Sequence, residues 1–191
     1  MNITLTTLVL SDSTIGYTTS KELRKHIDTK VDVIVNKHPG ATAEEIGYYS
    51  MLPLDRNRPE NVIIVAGSND ISREFQETRS VNEQNVVGNI IAIAKNAKHM
   101  GAKNVYVSSV LVRQGPHFKN IIKRTNSLLE QSCRHEGIHF LDHSDINYLH
   151  LNDDGLHCNN YGHAILKMNI LCCFKSFNGN SCKFLNFYNK L

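Results

Sequence analysis

Hydrophobic and polar positions fall into two kinds of block along this chain. Five short blocks are rich in β-branched residues and almost continuously apolar, a pattern typical of strands that are covered on both faces. They predict five buried strands, at residues 4–10, 31–36, 61–66, 104–110 and 138–142.

The segments between these blocks carry apolar residues at helical spacing. They predict helices at residues 17–27, 43–51, 81–100, 118–135 and 161–174. Because strand and helix alternate five times, the sequence predicts an α/β fold, in which a parallel sheet has helices on both faces. Ligands bind such sheets at the carboxyl ends of the strands, so we look for functional residues there.

Polar residues follow four of the predicted strands or their loops. Each of them alone is explained by turn or capping chemistry. Together they supply what acyl transfer needs, which is a nucleophile, a base, a group that orients the base and donors for the oxyanion. The stretches concerned are Ser11-Asp12-Ser13, "HPGAT" with Gly40, "GSND" with Asn69, and "DDGLHCNNYG" with Asp154 and His157.

Each of these residues has a candidate role. The Ser13 hydroxyl is the candidate nucleophile and His157 is the candidate base. Asp154 precedes His157 by three residues and can fix the tautomer of its ring, as the acid does in a serine triad. The backbone N–H groups of Ser13 and Gly40 and the side-chain amide of Asn69 form the predicted oxyanion hole.

The combination resembles the SGNH (GDSL-type) hydrolases, whose signature is Ser, Gly, Asn and His in successive blocks, with Asp three residues before the His. The order and spacing match over roughly residues 4–172. The resemblance implies a flavodoxin-like three-layer α/β/α sandwich with a five-stranded parallel sheet. It also implies hydrolysis of an ester or acetyl group through a serine acyl-enzyme, without metal or cofactor. Related domains occur in the first reading frames of certain retrotransposons, and the resemblance leaves that branch open.

The first block departs from the family pattern at one position. Ser11 stands where the family usually has glycine. We expect its side chain to crowd the turn or narrow the pocket without moving Ser13 out of register. Asp12 and Asp70 are expected to be architectural, each accepting backbone N–H bonds from its own turn.

The length of the chain favours a single domain, and its net charge is only modestly positive. The chain has 191 residues, of which 41% are hydrophobic, and a formal net charge of +3. We expect a hydrolase domain at residues 1–174 and a C-terminal extension at 175–191. Lysines and aromatic residues near 95–103, 118–124 and the tail leave an alternative open, a non-catalytic SGNH-like module that binds RNA or single-stranded nucleic acid. The presence of both Ser13 and His157 favours the enzyme.

Cysteine usage and the N-terminal residues bear on location. The five cysteines are odd in number and form no CxxC pair, which predicts reduced thiols in an intracellular protein. The first residues lack the features of a signal sequence, and no apolar run is long enough for a membrane span. We therefore expect a cytoplasmic or nuclear protein.

Metal binding and substrate were also considered. His135, His139 and His143 are spaced by four residues, as metal ligands on a helix can be. The segment is β-like, so this spacing scatters the three rings, and we expect no metal site. The expected partner is a small ester or lipid, and the absence of an extended apolar loop disfavours long-chain lipid.

Overall fold

The computed structural model describes residues 5–27 and 30–176. They contain a five-stranded parallel sheet with the strand order β2-β1-β3-β4-β5. All five predicted strands are confirmed, with small shifts at their ends. Their bounds are β1 (Leu5–Ser11), β2 (Val31–Lys37), β3 (Asn61–Val65), β4 (Asn104–Ser108) and β5 (His139–Leu141).

Six α-helices lie among the described residues, together with two 3-10 turns at Ser13–Ile15 and Tyr148–His150. Four of the predicted helices agree with the structure in position, and the first is much shorter than predicted. Helix α2 continues through Pro53, beyond its predicted end at residue 51. The bounds are α1 (Ser20–Arg24), α2 (Ala43–Asn57), α3 (Ser68–Thr78), α4 (Glu83–His99), α5 (Phe118–Glu136) and α6 (Asn160–Ser176).

Helix α3 was not predicted. Its first residues belong to "GSND", which the sequence analysis treats as a turn. The apolar stripe of this helix is narrow: it packs on the core through Ile71, which is buried, and Phe75, which is partly buried. The hydrophobic pattern is therefore too weak to indicate the helix.

The sheet is covered on both faces, which confirms the three-layer α/β/α sandwich. Successive residues of a strand point to opposite faces. Leu8 and Leu10 of β1 pack in one hydrophobic cluster, together with side chains of α2, α4 and α5. Val9, between them, packs in the other cluster with side chains of α1 and α6.

The central position of β1 determines where its last residues emerge. Ser11 is paired with Lys37 of β2 on one side and with Val65 of β3 on the other. Beyond this point, His38 donates its N–H to Ser11 O at 2.8 Å, and Asp12 donates to Val65 O at 3.3 Å. The loops that follow β1, β2 and β3 therefore meet at the carboxyl edge of the sheet.

The structure also bears on the predicted state of the cysteines and on the predicted end of the domain. Cys133, Cys158 and Cys173 are buried free thiols. Cys172 is disulfide-bonded, so the prediction of reduced cysteines is wrong at this residue. Helix α6 reaches Ser176, two residues past the expected domain boundary, and the rest of the predicted extension lies outside the described residues. None of the helices in the described ranges is long and apolar enough to cross a membrane.

Candidate active site

The candidate nucleophile lies directly after β1. The chain leaves the strand at Ser11 and enters the 3-10 turn Ser13–Ile15. Asp12 caps this turn, because its Oδ1 accepts the N–H of Thr14 at 2.7 Å. Gly16, with a φ of 55°, ends the turn and donates its N–H to Ser13 O at 2.9 Å. The turn holds Ser13 partly exposed at the carboxyl edge of the sheet.

The structure brings the three predicted catalytic residues together. Ser13 Oγ lies 3.1 Å from His157 Nε2, although 144 positions separate the two residues in the sequence. His157 Nδ1 lies 2.7 Å from Asp154 Oδ2. The side chains thus form a hydrogen-bonded series from the hydroxyl through the imidazole to the carboxylate, the arrangement of a serine triad.

Asp154 is held as an anion. Its Oδ1 accepts the backbone N–H groups of Leu156 and His157, each at 2.9 Å. The hydrogen bond from the His157 ring is the largest cause that lowers the pKa of Asp154 to about 2. Its carboxylate is therefore ionised at neutral pH and can keep a proton on His157 Nδ1.

A closed loop carries both Asp154 and His157. Leu151 and Cys158 form an isolated antiparallel bridge at its base. Inside the loop, Asn152 donates its N–H to His157 O at 2.8 Å, and Gly155, with a φ of 66°, donates to Asn152 O at 2.9 Å. The pair is therefore fixed by local bonds within eight residues.

The two other predicted oxyanion-hole residues meet at the ends of β2 and β3. Asn69, in the first turn of α3, donates its side-chain amide to Ala41 O at 3.0 Å. A second and longer contact of 3.4 Å joins the same nitrogen to Asp12 Oδ2. The side chain of Asn69 thus bridges the loop after β1 and the loop after β2. Among the described residues, the backbone N–H groups of Ser13 and Gly40 have no protein acceptor.

Helix α3 also holds the Gly40 loop through two further side chains. Arg73 Nη2 donates to Gly40 O at 2.6 Å, and Arg73 forms an ion pair with Glu45 at 3.2 Å. Asp70 Oδ2 accepts the N–H of Ala43 at 2.9 Å. The first two turns of α3 are therefore a support for this loop. No pattern in the sequence indicates a role for Arg73, because α3 itself was not predicted.

Asp12 and Asp70 are expected to have architectural roles, and Ser11 is expected to crowd the turn before Ser13. Asp12 accepts a backbone N–H of its own turn, as expected, and its burial raises its pKa to about 6. Asp70 accepts the N–H of Ala43, which lies 27 residues away, so it joins the first turn of α3 to the start of α2 instead of closing its own turn. The Ser11 side chain is fully buried, and its hydroxyl donates to Asp12 O at 3.0 Å. It therefore lies in the protein interior.

Two neighbouring features escaped the sequence analysis. A cavity of about 230 Å³ lies beside the nucleophile turn, and its lining includes Tyr17, Asn160 and His163. On another side, Gln114 donates its N–H to Gly155 O at 2.8 Å, which joins the β4–α5 loop to the loop that carries Asp154 and His157. Arg113 precedes Gln114 in that loop. No motif marks these positions, because loop contacts depend on the tertiary fold.

The three regularly spaced histidines considered as metal ligands lie in different elements. His135 lies on α5, His139 on β5 and His143 after β5. In residues 5–27 and 30–176, no group of three or more His, Cys, Asp or Glu side chains is arranged to hold a metal ion.

Several of the basic residues that the sequence suggests for nucleic-acid binding are paired with carboxylates: Lys95 with Glu136, Arg124 with Glu83, and Arg134 with Glu130. Nucleic-acid binding stays a prediction.

Comparisons with known proteins identify a family and a fold. The GDSL-like Lipase/Acylhydrolase family matches residues 15–165. A GDSL-like lipase from Bacteroides thetaiotaomicron VPI-5482 is 22% identical, with a TM-score of 0.72 over 90% of this chain and 88% of that chain. A psychrotrophic esterase from Pseudoalteromonas sp. is 18% identical, with a TM-score of 0.72 over 92% and 99%. An acetylxylan esterase from Geobacillus stearothermophilus is 16% identical, with a TM-score of 0.74 over 90% and 95%. No curated protein sequence matches the chain.

Proposed function

Because the chain belongs to the GDSL-like lipase/acylhydrolase family, we propose that it is a serine esterase that hydrolyses an ester or acetyl group through an acyl-enzyme. The observation that carries this proposal is the hydrogen-bonded series of Ser13, His157 and Asp154, with distances of 3.1 and 2.7 Å. A nucleophile within reach of a base, and a base oriented by a third group, are the requirements for covalent catalysis by a hydroxyl.

In the acylation step, Ser13 Oγ attacks the acyl carbonyl while His157 Nε2 takes the hydroxyl proton. Asp154 keeps the other ring proton on Nδ1 and stabilises the imidazolium that forms. When the tetrahedral intermediate collapses, His157 returns the proton to the leaving alcohol. Water then attacks the acyl-enzyme with His157 again as base, which releases the acid and restores Ser13.

The negative charge on the tetrahedral oxygen needs donors that are already in place. The backbone N–H groups of Ser13 and Gly40 are available to a ligand, since neither has a protein acceptor among the described residues. Asn69 can contribute a third donor. The hydrogen bond from its side-chain nitrogen to Ala41 O is 3.0 Å long, whereas the contact of the same nitrogen with Asp12 Oδ2 is 3.4 Å. The N–H that faces Asp12 is therefore weakly held and can donate to the oxyanion instead.

We propose a short acyl group, such as acetyl, as the part transferred to Ser13. One of the similar structures is an acetylxylan esterase, and this supports an acetyl ester as the first substrate to test.

The function is tested by comparing Ser13→Ala with Ser144→Ala, which removes an exposed serine elsewhere. With 4-nitrophenyl acetate and butyrate, we expect Ser13→Ala to lower kcat at least about 1,000-fold and Ser144→Ala to leave it close to wild type. A fluorophosphonate probe should label wild type and Ser144→Ala at Ser13. The proposal is wrong if wild type hydrolyses none of a series of acyl esters and the probe labels no serine.

A further inference from the structure

The β4–α5 loop contains a cation that the fold does not neutralise. The Arg113 guanidinium lies over the ring of Phe118, with 4.7 Å between Cζ and the ring centroid. Its Nη1 is buried and has no hydrogen-bond partner among the described residues, and Arg113 forms no ion pair within them. Arg113 as a whole is half-buried and the Phe118 ring stabilises its charge in part, but the buried Nη1 lost its water without gaining a hydrogen-bond acceptor, which costs free energy.

Arg113 flanks the candidate active site. The next residue, Gln114, donates its N–H to Gly155 O at 2.8 Å, and Gly155 lies between Asp154 and His157 in the sequence. The two loops are in close contact, because a Cβ on Gly155 would lie 2.6 Å from Gln114 Cβ. Burial lowers the pKa of Arg113, and the negative charge of Asp154 opposes that change.

The surroundings of Arg113 favour an anion. Phe118 is the first residue of α5, whose first turn contains no acidic residue and whose N-cap, His117, makes no side-chain capping bond. The positive end of the helix dipole is therefore not offset there. Phe75 contacts Phe118 with a ring separation of 5.1 Å and supports the surface on which the guanidinium lies.

Among the described residues, the carboxylate that acts on the pKa of Arg113 is already engaged in hydrogen bonds. Asp154 accepts bonds from the His157 ring and from two backbone N–H groups, so it does not neutralise the guanidinium by direct contact. Arginine offers a planar fork of N–H donors that matches carboxylate and phosphate oxygens. A buried guanidinium N–H beside a triad is thus suited to a substrate oxygen.

We propose that Arg113 binds an anionic oxygen group carried by the ester, so that the enzyme prefers negatively charged esters over neutral ones. This inference rests on the proposed esterase function and names a substrate class for the same site. The anionic group can belong to the acyl part or to the alcohol part of the ester, and the test separates these two sources.

The test compares two pairs of esters. Mono(4-nitrophenyl) glutarate and 4-nitrophenyl butyrate differ by a charge on the acyl side. The second pair, 4-acetoxybenzoate and its methyl ester, differs by a charge on the alcohol side. For each pair we take the ratio of kcat/KM, anionic over neutral, in wild type, Arg113→Gln and Arg113→Lys. Comparing the same ratio between variants cancels the intrinsic reactivity of the esters.

We expect Arg113→Gln to lower the ratio about tenfold or more in one pair, because a hydrogen bond to a charged group is lost. Arg113→Lys should keep part of the preference, since lysine retains the charge without the fork. The control is Arg124→Gln, which removes an equal charge from the ion pair between Arg124 of α5 and Glu83 of α4 and should leave both ratios unchanged.

An unchanged ratio in both pairs for Arg113→Gln overturns the inference, as does an equal fall for Arg124→Gln. If Arg113→Gln does not fold, Arg113→Lys decides by the same ratio. If wild type hydrolyses no ester and the fluorophosphonate probe labels no serine, the proposed function has failed, and binding still tests Arg113. Calorimetry then compares monomethyl and dimethyl glutarate on Ser13→Ala with and without Arg113→Gln. Tighter binding of the monoanion that disappears with Arg113→Gln supports the inference, and equal affinities overturn it.

Discussion

Asp154 accepts three hydrogen bonds, two from backbone N–H groups and one from the ring of His157. The backbone bonds orient the carboxylate, and the carboxylate then orients the imidazole. Because the low pKa of Asp154, about 2, keeps it ionised across the ordinary range of assay pH, the orientation of His157 does not depend on pH through this residue.

The substitution Asp154→Asn tests this role. An amide can donate to His157 Nδ1 and so favours the wrong tautomer, with the proton on Nε2. We expect kcat to fall by about 10³–10⁴-fold while the fold is kept. The matched control is Asp153→Asn, which changes the neighbouring exposed carboxylate and should alter kcat less than about twofold. Steady-state kinetics and circular dichroism check both variants, and a kcat above a tenth of the wild-type value in Asp154→Asn would contradict the assignment.

At the scale of elements, α3 connects the candidate oxyanion hole to the sheet. Asn69, Asp70 and Arg73 each bond to the segment between Gly40 and Ala43. Other bonds of this segment, from Ala41 N–H to His38 O at 3.1 Å and from Thr42 N–H to Glu45 Oε2 at 2.7 Å, do not involve Gly40, which is exposed and adopts a φ of 79°. The position of the Gly40 N–H therefore depends on α3.

Arg73→Ala removes one of these supports, the 2.6 Å bond to Gly40 O. We expect kcat to fall about fivefold with little change in KM, which corresponds to about 1 kcal/mol of lost transition-state stabilisation from a loosened donor. Arg73→Lys should recover part of the rate. Arg56→Ala, an exposed arginine on α2, serves as the control. A change in KM alone would instead indicate that Arg73 binds substrate directly.

Two glycines in neighbouring elements predict opposite changes in stability. Gly67 precedes α3 with a φ of 107°, and a Cβ there would lie 2.9 Å from both Ile90 Cδ1 and Val110 Cγ2. Gly88 lies in the middle of α4, exposed, and a Cβ there would meet nothing within 4 Å. We expect Gly67→Ala to lower the free energy of unfolding by about 1–3 kcal/mol.

Gly88→Ala should raise it by about 1 kcal/mol, because alanine has the higher helix propensity. Denaturant unfolding of the two variants beside wild type measures both effects. Equal stability of Gly67→Ala and wild type would contradict the predicted crowding by Ile90 and Val110 and the backbone strain at this position.

At the scale of the whole molecule, acid stability depends on a buried histidine. His143 is 3% exposed, and burial lowers its pKa to about 4. Since the unfolded chain binds this proton near pH 6.5, the folded state loses stability as the pH falls from about 6.5 to about 4. Asp12, with a pKa raised to about 6, acts in the opposite direction over much of the same range.

Replacing His143 isolates its share of that dependence. We expect wild type to lose about 2–3 kcal/mol more than His143→Gln when the pH is lowered from about 7 to about 4.5. His99→Gln, on the exposed end of α4, should behave like wild type. Urea unfolding at the two pH values gives the comparison, and parallel losses in all three proteins would contradict the assignment to His143.

The sequence predicts the strands and the candidate site residues of this molecule better than the contacts that hold the site in place. The strands are readable because burial on both faces makes them continuously apolar. The candidate site residues are readable from their types and order: Ser13, Gly40 and Asn69 after strands, and Asp154 and His157 in the loop before α6. The roles of Arg73 and Arg113 are not readable, because they come from contacts between loops and helices that are distant in sequence. Helix α3 is missed for a related reason, since few of its side chains reach the core.

The 144 positions between Ser13 and His157 also set a timetable for synthesis. A ribosome adds about 5–20 residues each second, so the base of the proposed esterase is made roughly 7–30 s after its nucleophile. During that interval β1 has been made while the loop that carries the imidazole does not yet exist. On the proposed mechanism a nascent chain is therefore inert towards esters, and the onset of turnover would mark the moment when the last part of the fold has joined the first.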